Sequence, residues 1–384
     1  MRTILITFLF VLSFGITSCT KSDGPVIPAK HTLLVYIMAN NSLDNFGIQN
    51  LNTMMEVATK KNLNGGNLIV YYAPQGATPQ LLQLKENSDG KVIKEIILDY
   101  EKQNSASPEV LLSVIKEVVS RFPAESYGLD LWSHGSAWVP SDYQNMMKAF
   151  GQDGTNWMEI DELAKGIPNG LFNYILFDAC YMASVECIYE LKDKANYILA
   201  SPTETMGAGW PYAEIIPAFF ENNVQLEKIA EIFYNYYNAK SGYSQTATVS
   251  VTKTSEIENL AVIVKEILAD KSEEDIFNLD LKKMQRLEYL SNSPYTTRQG
   301  FLYDFDDFIK QLATDEQYGR FQTAIGKLIT YEAHTKNAYF AALHDSMPID
   351  RCCGLTVFVP QQSIPKINDW YKARVAWEKA VYPN

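Results

Sequence analysis

Two stretches decide the fold: Tyr127-Gly-Leu-Asp-Leu-Trp-Ser-His-Gly135 and Phe172-Asn-Tyr-Ile-Leu-Phe-Asp-Ala-Cys180. Each is a short, mostly apolar run of strand length that stops at a residue with chemistry, His134 in one and Cys180 in the other. Upstream of the first, Ser107-Pro108-Glu109 is a helix-start signal. It opens a stripe of Leu111, Val114, Ile115, Val118, Val119 and Phe122. Further upstream, 31–38 and 67–73 read as buried strands. Between them Ile48, Leu51, Met54, Met55 and Ala58 form a helical stripe that Ser42 can cap. The runs 81–84 and 92–98 read as a hairpin around Asn87-Ser-Asp-Gly90. After Cys180 come a helix through Leu191 and a strand at 197–200. Strand and helix thus alternate over the first ~200 residues, the pattern of a mostly parallel sheet with helices on both faces. Beyond Tyr212 the pattern loosens: helices at 226–237 and 257–268, strands at 246–252 and 355–359, and one closing amphipathic helix at 369–381.

The chain has 384 residues, 47% hydrophobic and 20% charged, which excludes a disordered or collagenous protein. Its 33 basic and 45 acidic residues give a net charge of -12, which argues against nucleic acid as a partner. Arg2 followed by the apolar run Ile4 to Ile16 reads as a signal peptide, too short to span a bilayer as a helix. Ile16-Thr17-Ser18-Cys19 resembles a bacterial lipobox. The expected organisation is a lipoprotein signal peptide (1–18), a polar tether (19–30), a catalytic core (31–212) and a C-terminal half that completes the sheet and adds helices (213–384). Cys19 then carries the lipid, and the protein is exported and membrane-anchored, with the outer membrane expected and the periplasmic or surface face left open. Cys180, Cys187, Cys352 and Cys353 form no disulfide framework and no Cys/His metal spacing.

Parallel sheets place reactive groups at the carboxyl ends of their strands. Side by side, His134 and Cys180 would pair a proton carrier with a nucleophile. The interval between them holds one crossover and a loop, near the ~50 residues by which a caspase His precedes its Cys. Gly135 lets backbone approach a substrate, and its N–H with that of Cys180 can bind an oxyanion.

Leu131-Trp-Ser-His-Gly-Ser-Ala-Trp138 and Phe177-Asp-Ala-Cys-Tyr-Met182 resemble the His and Cys motifs of clostripain-like cysteine peptidases, in the clan of caspases, gingipains and legumain. Leu34 to Leu43, Ala200 to Tyr212 and Cys353 to Pro360 resemble further family segments in the same order, so the likeness covers nearly all of the mature chain. The resemblance implies a caspase-like α/β/α sandwich with a mostly parallel central sheet and a C-terminal helical or mixed extension. It implies His134 as general acid/base, Cys180 as nucleophile, and Ser201 and Trp210 at the substrate. It also implies cleavage of peptides or proteins after a basic residue. Asp178, two residues before the Cys, would by alternation face the same side. A carboxylate ~4 Å from a guanidinium gains about 4 kcal/mol of gross attraction at an effective dielectric of ~20. Two positions depart from the family: Pro211 stands where an acid is common, and Ala137 replaces a common Gly.

The resemblance further implies self-cleavage between the His and Cys motifs. The polar stretch from Ser141 to Thr155 contains Lys148, so Lys148-Ala149 is the expected bond. No cofactor is required. Tyr303-Asp-Phe-Asp-Asp-Phe308 suggests calcium by composition only, since neither a Gly turn nor a distal Glu follows, and helix-start aspartates are the better reading. The alternative function is a catalytically silent lipoprotein of the same fold that binds peptides or glycans. A serine hydrolase is weaker still, because no G-x-S-x-G elbow accompanies Ser133 or Ser136.

Overall fold

The computed structural model describes residues 27–139, 150–288, 300–341 and 344–382. Its first strands are β1 (Thr32–Ala39), β2 (Asn67–Pro74), β3 (Gln80–Glu86), β4 (Val92–Asp99) and β5 (Tyr127–Trp132). A small hairpin, β6 (Phe150–Asp153) and β7 (Asn156–Met158), precedes β8 (Phe172–Asp178), β9 (Ala195–Ala200) and β10 (Thr248–Lys253). The last strands are β11 (Leu302–Asp304), β12 (Ile329–His334), β13 (Asn337–Phe340), β14 (Asp345–Pro348) and β15 (Thr356–Phe358). Among the described residues, nine strands form one sheet in the order β12-β10-β9-β8-β5-β1-β2-β3-β4. The inner five, β2 to β9 in that order, run parallel; the pairs at both ends are antiparallel.

Alternation along β1 explains the layers. Leu33, Val35, Ile37 and Ala39 point to one face, and Leu34, Tyr36 and Met38 to the other, all buried. The first face is covered by α1 (Asp44–Val57), α2 (Lys60–Leu63), α6 (Tyr212–Phe219) and α7 (Leu226–Asn238). The second is covered by α3 (Pro108–Arg121), α4 (Ile160–Gly166), α5 (Val185–Glu190), α8 (Ile257–Leu268), α10 (Phe305–Leu312) and α11 (Asp315–Leu328). The short α9 (Glu273–Phe277) and the closing α12 (Pro365–Arg374) and α13 (Ala376–Val381) add to this second layer. Each fully buried Leu, Ile or Val contributes roughly 1.5–3 kcal/mol, so a strand buried on both faces is pinned in register.

Several local expectations change. Ser42 does not cap α1: the N-cap position is Leu43, without a side-chain cap, and Asn41 Oδ1 accepts the Leu43 N–H at 2.8 Å. The closing helix is two helices, because Val375 adopts an extended conformation and buries its side chain. The run 355–359 lies outside the main sheet: it pairs with β11 and makes a single parallel bridge from Thr356 to Ser184. The end of the polar Ser141–Thr155 stretch is strand β6, with Phe150 fully buried against Phe177. No helix among the described residues is long and apolar enough to cross a membrane.

Candidate active site

The chain order of the sheet reverses between β1 and β5. At such a point the loops leaving the carboxyl ends part and open a crevice. Ile37, Trp132 and Asp178 lie level across β1, β5 and β8. Just beyond that line the chain reaches Ser42, His134 and Cys180.

Gly135 is where the two motifs touch. A Cβ there would lie 2.6 Å from the Cys180 carbonyl oxygen and 3.1 Å from the Ala179 Cβ, so a side chain does not fit. The Ser133 N–H donates to the Asp178 carbonyl at 3.3 Å, carrying strand pairing past the end of β5. Among the described residues, neither the Gly135 nor the Cys180 N–H donates a hydrogen bond. Ala137, the departure from the family pattern, sits at φ 57, a left-handed conformation that favours glycine.

His134 is half-buried. Its Nε2 lies 2.9 Å from the Ser42 hydroxyl, and its ring centroid 6.1 Å from that of Trp157. The Gly151 N–H donates to the His134 carbonyl at 2.9 Å, tying the loop to β6. Burial lowers the imidazole pKa, so the ring is neutral at rest.

The Cys180 sulfur is clasped by Thr205. It accepts the Thr205 N–H at 3.3 Å and donates its own proton to the Thr205 carbonyl at 3.7 Å. Burial, and then the charge of Glu204, push the thiol pKa up, so the thiol is protonated at rest. Glu204 itself accepts from the Tyr181 hydroxyl at 2.9 Å and the Ala341 N–H at 2.8 Å. Tyr181 occupies φ 64, a strained conformation for a residue with a side chain. Its N–H bonds to the Thr203 carbonyl and that of Ala183 to the Ser201 carbonyl, which hold the turn after the thiol. Among the described residues no hydrogen bond joins His134 to Cys180.

Strand β8 ends at Asp178, so alternation does not extend to Cys180. Asp178 enters the layer of α6, while Cys180 packs against the opposite cluster. Asp178 Oδ2 accepts the Trp210 N–H at 3.0 Å and the Tyr212 hydroxyl at 3.0 Å. Among the described residues nothing donates to its Oδ1, and the residue is 5% exposed. Burial raises the carboxyl pKa to about 7 against those two bonds. Gly209, at φ 72, passes so close that a Cβ would lie 2.3 Å from Oδ2. Trp210 and Ser201 are each 2% exposed. The Trp210 ring packs on Phe233 at 4.4 Å, and the Ser201 hydroxyl meets Thr248 at 2.7 Å and the Thr203 carbonyl at 3.1 Å. Trp210 therefore reaches Asp178 by its backbone, and Ser201 braces the loop. The sequence offers Ser42 only as a helix cap and gives Thr205, Glu204 and Tyr212 no role of their own, although all four sit inside the family-like segments quoted above.

Lys148 and Cys19 lie outside the described residues. The carboxyl oxygens of Asp304, Asp306 and Asp307 cluster within 4.8 Å of one another. They serve the protein itself: Asp304 caps α10 by accepting the Asp307 N–H and also accepts the Cys353 N–H, Asp307 pairs with Arg351, and Asp306 accepts from Tyr318.

No curated protein matches the chain. Solved structures do. An inactive zymogen C11 protease from Parabacteroides distasonis is 38% identical, with a TM-score of 0.83 over 93% of this chain and 100% of that one. A secreted C11 cysteine protease from Bacteroides thetaiotaomicron, solved with an irreversible peptide inhibitor, is 29% identical, with a TM-score of 0.78 over 92% of this chain and 98% of that one. A clostripain from Bacteroides thetaiotaomicron, solved with the peptide inhibitor BTN-VLTK-AOMK, is 27% identical, with a TM-score of 0.51 over 61% of this chain and 99% of that one. The fold is thus the caspase-like α/β/α sandwich of these proteases. The clostripain family model matches residues 35–380. The chain belongs to the clostripain family and is a cysteine endopeptidase.

Proposed function

We propose that this peptidase is exported, lipid-anchored through Cys19 and specific for Arg or Lys before the cut, with Cys180 as nucleophile and His134 as acid/base. The observation that carries the specificity is the buried Asp178 carboxylate at the end of β8, two residues before Cys180, with Oδ2 engaged and, among the described residues, no donor to Oδ1. A basic side chain would supply that donor and draw the carboxyl to its ionised form. The lysine that ends the VLTK peptide of the inhibitor bound to the clostripain relative supports the same reading.

In the reaction His134 takes the thiol proton as Cys180 Sγ attacks the carbonyl carbon. The Gly135 and Cys180 N–H groups receive the oxyanion. The imidazolium passes its proton to the leaving amine as the C–N bond breaks, and water then hydrolyses the thioester with His134 as base. Maturation is by self-cleavage at Lys148-Ala149, a reading supported by the zymogen relative.

The test uses fluorogenic peptides ending in Arg, Lys or a neutral residue, on the wild type, Cys180→Ala and Asp178→Asn. Cys180→Ala is expected to be inert and uncut. Asp178→Asn is expected to lose at least a hundredfold in kcat/KM on Arg and Lys, and Lys148→Ala to stay one chain. Unchanged basic preference in Asp178→Asn would refute the specificity, and no turnover under any activating condition would favour the non-cleaving alternative.

A further inference from the structure

Beneath Asp178 lies a second buried carboxyl, Asp130 of β5, which is 0% exposed. The Tyr212 hydroxyl stands between them, 2.9 Å from Asp130 Oδ2 and 3.0 Å from Asp178 Oδ2. Two contacts of that length between oxygens need two protons, and a phenol brings one. The second proton must therefore sit on a carboxyl. Asp178 has the Trp210 N–H to support a negative charge and is 5% exposed. Asp130 has neither: it is fully buried, and its Oδ1 has no partner among the described residues. An ionised Asp130 would be a bare charge in an apolar layer, whereas a protonated one becomes the donor that the chain lacks.

We propose that Asp130 is a protonated acid that acts through Tyr212 as a positioning residue, donating to the phenol so that the phenol donates to Asp178 and holds it, ionised, toward the basic side chain of the substrate. The proposal rests on the reading of Asp178 as the specificity carboxylate. Within it, the order of donation is Asp130 Oδ2–H to Tyr212 O, then Tyr212 O–H to Asp178 Oδ2. No charge accumulates along the chain, and the negative charge ends at Asp178, the more exposed of the two carboxyls. Burial pushes the Asp130 carboxyl well above the usual range, in the same direction as the proton count.

The test compares Asp130→Asn, Asp130→Leu and Tyr212→Phe in the full-length protein. Asparagine keeps a donor toward Tyr212; leucine of similar size does not. Asp130→Leu and Tyr212→Phe are expected to raise KM for Arg and Lys peptides by roughly ten- to a hundredfold, more than they lower kcat. Asp130→Asn is expected to recover most of that loss. In difference infrared spectra of the Cys180→Ala protein, a protonated-carboxyl stretch should vanish with Asp130→Asn. Equal losses in the Asn and Leu variants, or no such band, would overturn the proposal. Should Asp130→Leu fail to fold, the infrared comparison still decides. Asp178→Asn separates the two layers: if it keeps the basic preference, the specificity reading itself has failed, whatever Asp130 does.

Discussion

The Ser42 hydroxyl lies 2.9 Å from His134 Nε2, although Ser42 stands where it could cap the helix that follows. A hydroxyl at a helix start is normally worth about 1 kcal/mol as a cap. Here it orients an imidazole, and Asn41 takes over the local turn. Ser42→Ala is expected to lower kcat about five- to tenfold with KM nearly unchanged, while Ser42→Thr recovers it. The melting temperature should hardly move, since Ser42 is exposed. A loss of thermal stability that matches the loss of activity would make the contact structural only.

Neutral imidazole and neutral thiol make the resting pair slow to react. Burial and Glu204 both raise the thiol pKa, and the thiolate is the reactive form. Alkylation of Cys180 by iodoacetamide, read by peptide mass mapping, should rise about tenfold per pH unit up to at least pH 9. Glu204→Gln should speed it by removing the neighbouring charge. A plateau in the acidic range would reveal a preformed thiolate–imidazolium pair and contradict this account.

Gly209 offers a way to move Asp178 without touching the thiol. Its φ of 72 already favours glycine, and an added Cβ would lie 2.3 Å from Asp178 Oδ2. Gly209→Ala should raise KM for Lys peptides about tenfold and leave Cys180 alkylation at the wild-type rate. Unchanged kinetics would show that the carboxylate has room to yield.

The parts of the site that were legible in the sequence are those set by local pattern. The apolar runs before His134 and Cys180 have the length and composition of buried strands, and the residues at their ends fall on one rim once the strands pair. The partners of those residues come from distant segments and follow no period. Ser42 reads as a cap until folding brings His134 within reach. Asp130 and Tyr212 are polar groups in apolar surroundings whose hydrogen bonds exist only in three dimensions. Residue type alone does not say which way a side chain faces: Trp210 and Ser201, which the resemblance places at the substrate, turn their side chains into the packed interior.

Glu186, far from strand chemistry but directly after the turn of Cys180, predicts how stability varies with pH. It is 1% exposed; its Oε1 accepts from the Phe358 N–H at 2.8 Å and the Tyr371 hydroxyl at 3.2 Å, and its Oε2 has no hydrogen-bond partner among the described residues. Burial raises its pKa from 4.5 to about 7 against the help of those donors. Between those two values the folded protein keeps a proton that the unfolded chain releases. Stability from this group is therefore fully present below pH 4.5 and is lost as pH rises through 7, by roughly 3 kcal/mol at 1.36 kcal/mol per unit. Glu186→Gln keeps the acceptor for Phe358 and removes the titration. Urea melts should find the variant more stable than wild type at pH 8 and close to it at pH 5. An equal difference at both pH values would mean that Glu186 is ionised in the native state and that its second oxygen has found water.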